Sequence, residues 1–149
     1  MKGAIMKGII VRISMQINAA PTKVWEALTQ PDLIRQYLFG TNTETDWKPG
    51  SPIFSRGVWE GKSYEDKGTV LEVVPEKRLV YTYWSGFSGV PDTPENYKTI
   101  TFELAQDGTK TLLTLTQDNN ADEKSKTHSE KNWQMVLDGL KKLVESKKV

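Results

Sequence analysis

The chain carries few groups able to make or break a covalent bond. His128 is its only histidine, and it has no cysteine, so thiolate nucleophiles, thiolate metal sites and disulfides are all absent from the sequence. His128 falls in a stretch rich in Lys, Ser and Glu, which reads as a solvated surface rather than the setting of a general base. A zinc site would have to rest on carboxylates, and no ligand spacing suggests one. Glu65-Asp66 and Asp122-Glu123 are adjacent pairs, and neighbours on a strand point to opposite faces, so neither pair makes a shared acid site. The glycines are scattered through turns and form no phosphate-binding loop. No catalytic residue, metal or cofactor is assigned on this inventory.

The five Trp and five Tyr are more informative. Trp25 and Trp133 lie on apolar stripes and read as packing residues. Tyr81 and Tyr83 share a strand face with Leu79, and their hydroxyls need partners if that face points inward. Gln117, on the face of Leu113 and Leu115, poses the same question, as does Glu72 if Val70 points inward. Polar groups among apolar neighbours mark either a small-molecule pocket or a self-satisfied internal network, and both readings stay open here. The pocket reading gathers Trp59, Val70, Glu72, Tyr81, Tyr83, Phe102, Gln117, Asn132, Trp133 and Val136 as ligand-binding residues.

The elements that must position these residues follow from periodicity. Ile9, Val11, Ile13, Met15 and Ile17 alternate with Ile10, Arg12, Ser14 and Gln16, the pattern of a half-buried strand. Pro21 opens a short helix carrying Val24, Trp25 and Leu28, which Gln30-Pro31 interrupts. Ala20 is a poor cap, so docking of the Trp25 face must hold this helix. A second short helix follows, with Leu33, Ile34, Tyr37 and Leu38 as its apolar face and Gly40 as its stop. Six strands are then expected, Thr43 to Trp47, Ile53 to Trp59, Tyr64 to Val74, Leu79 to Trp84, Tyr97 to Leu104 and Thr111 to Gln117. Tight turns join them, except for the long link Ser85 to Asn96. The chain ends in a long helix, with Asn120 and Glu123 at cap spacing and Trp133, Val136, Leu137, Leu140, Leu143 and Val144 in one stripe.

Strands and helices are thus segregated, which specifies α+β and excludes an alternating α/β fold. A seven-stranded antiparallel sheet curved around the one long helix buries the most apolar surface and leaves space where the helix does not fill the groove. The 149 residues suit a single domain, with a core of about 9–145. Twenty Lys plus Arg against 19 Asp plus Glu leave a net charge of +1, which offers no field to gather nucleic acid or an anionic membrane. The first apolar stretch is halted by Arg12, and no run of apolar residues is long enough to span a bilayer, so a cytoplasmic location is expected.

Four segments in order carry a family resemblance. Ala20-Pro21-Thr22-Lys23-Val24-Trp25-Glu26-Ala27-Leu28-Thr29-Gln30-Pro31 resembles the opening of proteins similar to the C-terminal domain of the activator of the Hsp90 ATPase, within the START/Bet v 1-like (SRPBCC) superfamily. Gly68 to Pro75 with Arg78 to Thr82, then Thr111 to Gln117, then Asn132-Trp133, resemble that family's central strand pair, last strand and helix stripe. Asn132 replaces the usual Gly, and Tyr37 stands where Trp is common. The resemblance implies a helix-grip fold and a hydrophobic ligand between sheet and C-terminal helix. It also implies two alternatives: contact with an Hsp90-type chaperone in a stress response, and cyclase-like or hydrolase-like activity. The Ser85 to Asn96 link would lie beside the Glu60 to Ser63 turn and Asp118 to Asp122, framing a pocket mouth with Phe87 and Val90. The chain length leaves no room for the separate N-terminal domain of the eukaryotic co-chaperone.

Overall fold

The computed structural model describes residues 6–146. In chain order it contains β1 (Ile9–Ile17), α1 (Pro21–Thr29), α2 (Pro31–Tyr37), β2 (Asn42–Glu44), β3 (Pro52–Trp59), β4 (Lys62–Val74), β5 (Arg78–Tyr83), β6 (Lys98–Asp107), β7 (Lys110–Asn120) and α3 (Glu123–Ser146). The seven strands form one antiparallel sheet in the order β1-β7-β6-β5-β4-β3-β2. Consecutive strands from β2 to β7 are therefore neighbours, and β1 closes the far edge against β7. The expected helix-grip α+β arrangement is the one observed.

The core lies between the inner face of the sheet and α3. Leu79, Leu113 and Leu115 from the strands meet Leu137, Leu140 and Val144 of α3, with Val24, Ala27 and Leu28 of α1 closing one end. Leu137 and Leu140 are 0% exposed, and removing each such side chain from water contributes about 2 kcal/mol. As expected, α1 has no side-chain cap at Ala20, and its hold on the fold comes from that buried face. Gly139 lets α2 approach α3, since a Cβ there would lie 3.4 Å from Cβ of Tyr37.

Strand β4 changes partner along its length: its first part pairs with β3 and its last part with β5. Where the two pairings meet, a Cβ on Gly68 would lie 1.7 Å from the Thr82 carbonyl oxygen, so only glycine fits. The Thr69 amide there donates to the Thr82 side-chain oxygen at 2.8 Å.

Three local expectations are corrected. β2 ends at Glu44 rather than Trp47, because the Thr45 and Asp46 side chains accept the amides of Trp47 (3.2 Å) and Lys48 (3.0 Å) and turn the chain, with Trp47 at φ 60. β7 continues through Asn120, which is 2% exposed, so Asn120 does not cap α3; Asp122 does, accepting the Ser125 amide at 2.8 Å. Glu72 does not face inward with Val70. A bulge at Leu71 pairs Val70 with Tyr81 but Glu72 with Val80, which reverses the alternation and points Glu72 outward to Arg78 at 3.0 Å.

Candidate ligand-binding site

A small, partly open hollow of about 50 Å³ remains between α2, the β2–β3 corner, the middle of the sheet and α3. Ile34 and Leu38 from the α2 segment, Ile53 of β3 and Val136 of α3 supply aliphatic wall. Trp47, Tyr81, Phe102 and Trp133 supply aromatic wall. Tyr81 and Phe102 stack with centroids 6.4 Å apart, and Trp133 meets Phe102 edge-on at 6.1 Å. No residue lining the hollow is charged, and its polar side chains are the hydroxyls of Tyr37, Tyr81, Thr43 and Ser55 and the indole N–H groups.

Four of the lining aromatics bear a donor. Tyr37 donates to the Ala27 carbonyl at 2.7 Å, the Trp47 indole N–H to the Thr29 carbonyl at 2.9 Å, and the Trp133 indole N–H to the Gln117 side-chain oxygen at 3.3 Å. The Tyr81 hydroxyl makes no hydrogen bond among the described residues. No fully sealed side-chain N or O atom among those residues lacks a partner, so this unpaired hydroxyl is not sealed off and opens onto the hollow it lines. Burial raises the Tyr81 pKa above the ordinary phenol value, and burial followed by the proximity of Tyr81 does the same for Tyr37. Both are neutral donors at any physiological pH.

The structure brings Tyr81, Phe102, Trp133 and Val136 together, and it places the other expected site residues elsewhere. Val70 is sealed in the core at 0% exposed. Gln117 faces inward, but its amide donates to Asp118 O and to Oδ1 of Asn120, while Asn120 in turn donates to Ile9 O and accepts from Ser129. Tyr83 donates to the buried Asp66 carboxylate at 2.7 Å, and Asp66 also accepts the Gly86 amide at 3.0 Å. Burial first, then Asp66, raises the Tyr83 pKa. Asn132 is exposed one helical turn before Val136. Trp59 is 51% exposed at the end of β3, edge-on to Phe39 with centroids 6.0 Å apart.

The long link divides in two. Phe87 lies on Tyr64 at 5.5 Å, and Tyr64 crosses the inner face over Gly57, where a Cβ would come within 2.6 Å of its hydroxyl. Val90 is drawn to the outer face, where its carbonyl accepts the Trp84 indole N–H at 3.1 Å and Asp92 pairs with Lys67 at 2.6 Å. Phe39, Val58, Trp59, Phe87 and Met135 are each more than half exposed. A second, open depression of about 480 Å³ lies on the outer face around Val74, Leu112 and Ala105. Its Arg78 is already paired with Glu72 and Glu103.

Reading the sequence alone misses Trp47, Ile34, Leu38, Ile53, Thr43 and Ser55. Ile53 and Ser55 share a strand parity that was a usable signal, whereas the others reach the hollow only through turns and the bend of the sheet.

An antiparallel sheet gripping a C-terminal helix around an apolar hollow defines the helix-grip class. Within it, the chain belongs to the family described as activator of Hsp90 ATPase homolog 1-like protein, which matches residues 18–145. The chain is 46% identical to ChR145 from Cytophaga hutchinsonii, with a TM-score of 0.82 and coverage of 95% of this chain and 97% of that one. It is similar in fold to the Aha1 dimer from Colwellia psychrerythraea, at 21% identity, TM-score 0.74 and coverage of 95% and 99%. CalU16 from Micromonospora echinospora shares the fold at 19% identity, TM-score 0.71 and coverage of 96% and 88%. No curated protein matches the chain.

Proposed function

We propose that the chain is a binding module that holds an apolar or aromatic small molecule in the hollow between sheet and α3, and that it works in the cytoplasm. The observation carrying this reading is the free Tyr81 hydroxyl opening onto a mostly apolar, uncharged hollow. The lining supports binding rather than proton transfer: its tyrosines have raised pKa values and it contains no His or carboxylate.

At about 50 Å³ the hollow is well short of the ~300 Å³ at which small-molecule sites usually begin. Loading therefore requires the groove to open, and we place that opening at the exposed Phe39 and Trp59 pair. That same aromatic pair supports the second reading, in which the surface contacts an Hsp90-type chaperone, because exposed clustered aromatics suit a protein interface.

Native mass spectrometry of gently purified protein tests the first reading. A bound small-molecule mass is expected, and it should be absent from Ser55→Phe, which fills the hollow. A mass retained equally by Ser55→Phe, or lost instead on Trp59→Ser with the hollow intact, would move the site to that pair.

A further inference from the structure

We infer that Tyr81 sets the ligand specificity of the hollow, selecting uncharged ring compounds that carry a hydrogen-bond acceptor, such as a ketone oxygen, over hydrocarbons of the same shape and over carboxylates. This deepens the small-molecule reading proposed above and rests on it.

Of the four donor-bearing aromatics around the hollow, Tyr37, Trp47 and Trp133 have their donors fixed on Ala27 O, Thr29 O and Gln117. Each of these bonds locks a ring in place and leaves it able to offer a ligand only its apolar surface. Among the aromatics Tyr81 alone has a donor to give, and the small hydroxyls of Thr43 and Ser55 are the other free donors of the wall. Its ring is held by Phe102 on one side and by the Ile100 pairing beneath it, so the hydroxyl stands at a fixed point of the wall. An acceptor meeting it gains a bond and leaves nothing unpaired. A hydrocarbon in the same position covers the hydroxyl and removes its access to water without replacing that contact.

Charge is excluded by the same wall. No lining residue is a cation, and Arg56, Lys67 and Arg78 on β3, β4 and β5 are engaged with carboxylates through Glu65, Asp92 and Glu72. A carboxylate would enter without a counter-charge, at a desolvation cost that one phenol does not offset. Thr43 and Ser55, directly paired across β2 and β3, add two small hydroxyls to the lining. They orient a ligand's polar edge but, being small, leave the aromatic packing to Trp47, Phe102 and Trp133.

Three probes of similar size test this by nuclear magnetic resonance titration of the full chain: acetophenone, isopropylbenzene and benzoate at neutral pH. Acetophenone should bind about fivefold more tightly than isopropylbenzene, the range of one neutral hydrogen bond. Benzoate should be weaker than either by at least about tenfold. Tyr81→Phe should erase the acetophenone preference while leaving isopropylbenzene affinity and the melting temperature unchanged, and Ser55→Ala should keep the preference. An acetophenone preference that survives Tyr81→Phe, one that vanishes in Ser55→Ala alone, or benzoate binding on a par with acetophenone would overturn the assignment. Equal binding of acetophenone and isopropylbenzene would overturn it and leave the binding module standing. Failure of all three probes to shift hollow residues would remove both.

Discussion

At the junction of β7 and α3, Gln117, Asn120, Ser129 and Trp133 bond one another and the nearby backbone, whereas two strands away on the same inner face the Tyr81 hydroxyl has no hydrogen bond among the described residues. Both places put polar atoms among apolar neighbours. The first is a closed network that ties the end of a strand to a helix, and the second is an open one facing a hollow. The difference teaches that a polar residue on a core face is not yet a site. What decides is whether its hydrogen-bonding groups are already used.

The sharpest way to break this contrast is to delete one member of each group. Gln117→Leu leaves the Trp133 indole and the Asn120 side chain short of partners inside the core, and should lower stability by about 3 kcal/mol in denaturant titration. A loss under about 1 kcal/mol would show that water replaces the network and that the junction is not closed.

Alkaline pH probes what the closed and open tyrosines share. Tyr37, Tyr81 and Tyr83 all have pKa values raised above the ordinary 10.0. The unfolded chain therefore loses these protons first, so the stability they hold is intact below pH 10.0 and falls progressively as pH rises above it. One pH unit above that point, each should account for about 1 kcal/mol of lost stability. Ultraviolet titration should show these phenolates forming only with unfolding. Ionisation of Tyr81 in the folded protein would mean that its hollow is wet and open.

The smallest expected effect is Tyr81→Phe itself. Because the hydroxyl has no hydrogen bond among the described residues, its removal should change stability by less than about 0.5 kcal/mol, against the larger cost at Gln117. A cost above about 1.5 kcal/mol would mean that Tyr81 belongs to a closed network after all.

Much of the architecture was legible because its signals are local. The alternation from Ile9 to Ile17 and the stripe from Trp133 to Val144 each follow from one element's own periodicity. The inward face of Tyr81 was legible for the same reason, through Leu79 on the same strand. Glu72 was not, since a one-residue bulge reverses parity and leaves no mark in the hydrophobic pattern. Trp47 was misplaced because Thr45 and Asp46 compete with the ladder for the backbone, a contest that β-propensity does not register. Asn120 has the spacing of a cap, yet its partners are Ile9 and Ser129, more than 100 and 9 positions away, which no local window contains. The site is harder to read than the fold because the hollow is a remainder, set by the change of partner at Gly68 and by how far α2 and α3 approach.

Methyl-resolved nuclear magnetic resonance during a toluene titration tests the central claim most directly. Saturable shifts are expected, centred on the methyl groups of Ile34, Leu38, Ile53 and Val136, which surround the hollow. Shifts that stay linear with toluene, or that cluster at the exposed Val58 and Met135 while those four methyl groups stay fixed, would contradict it.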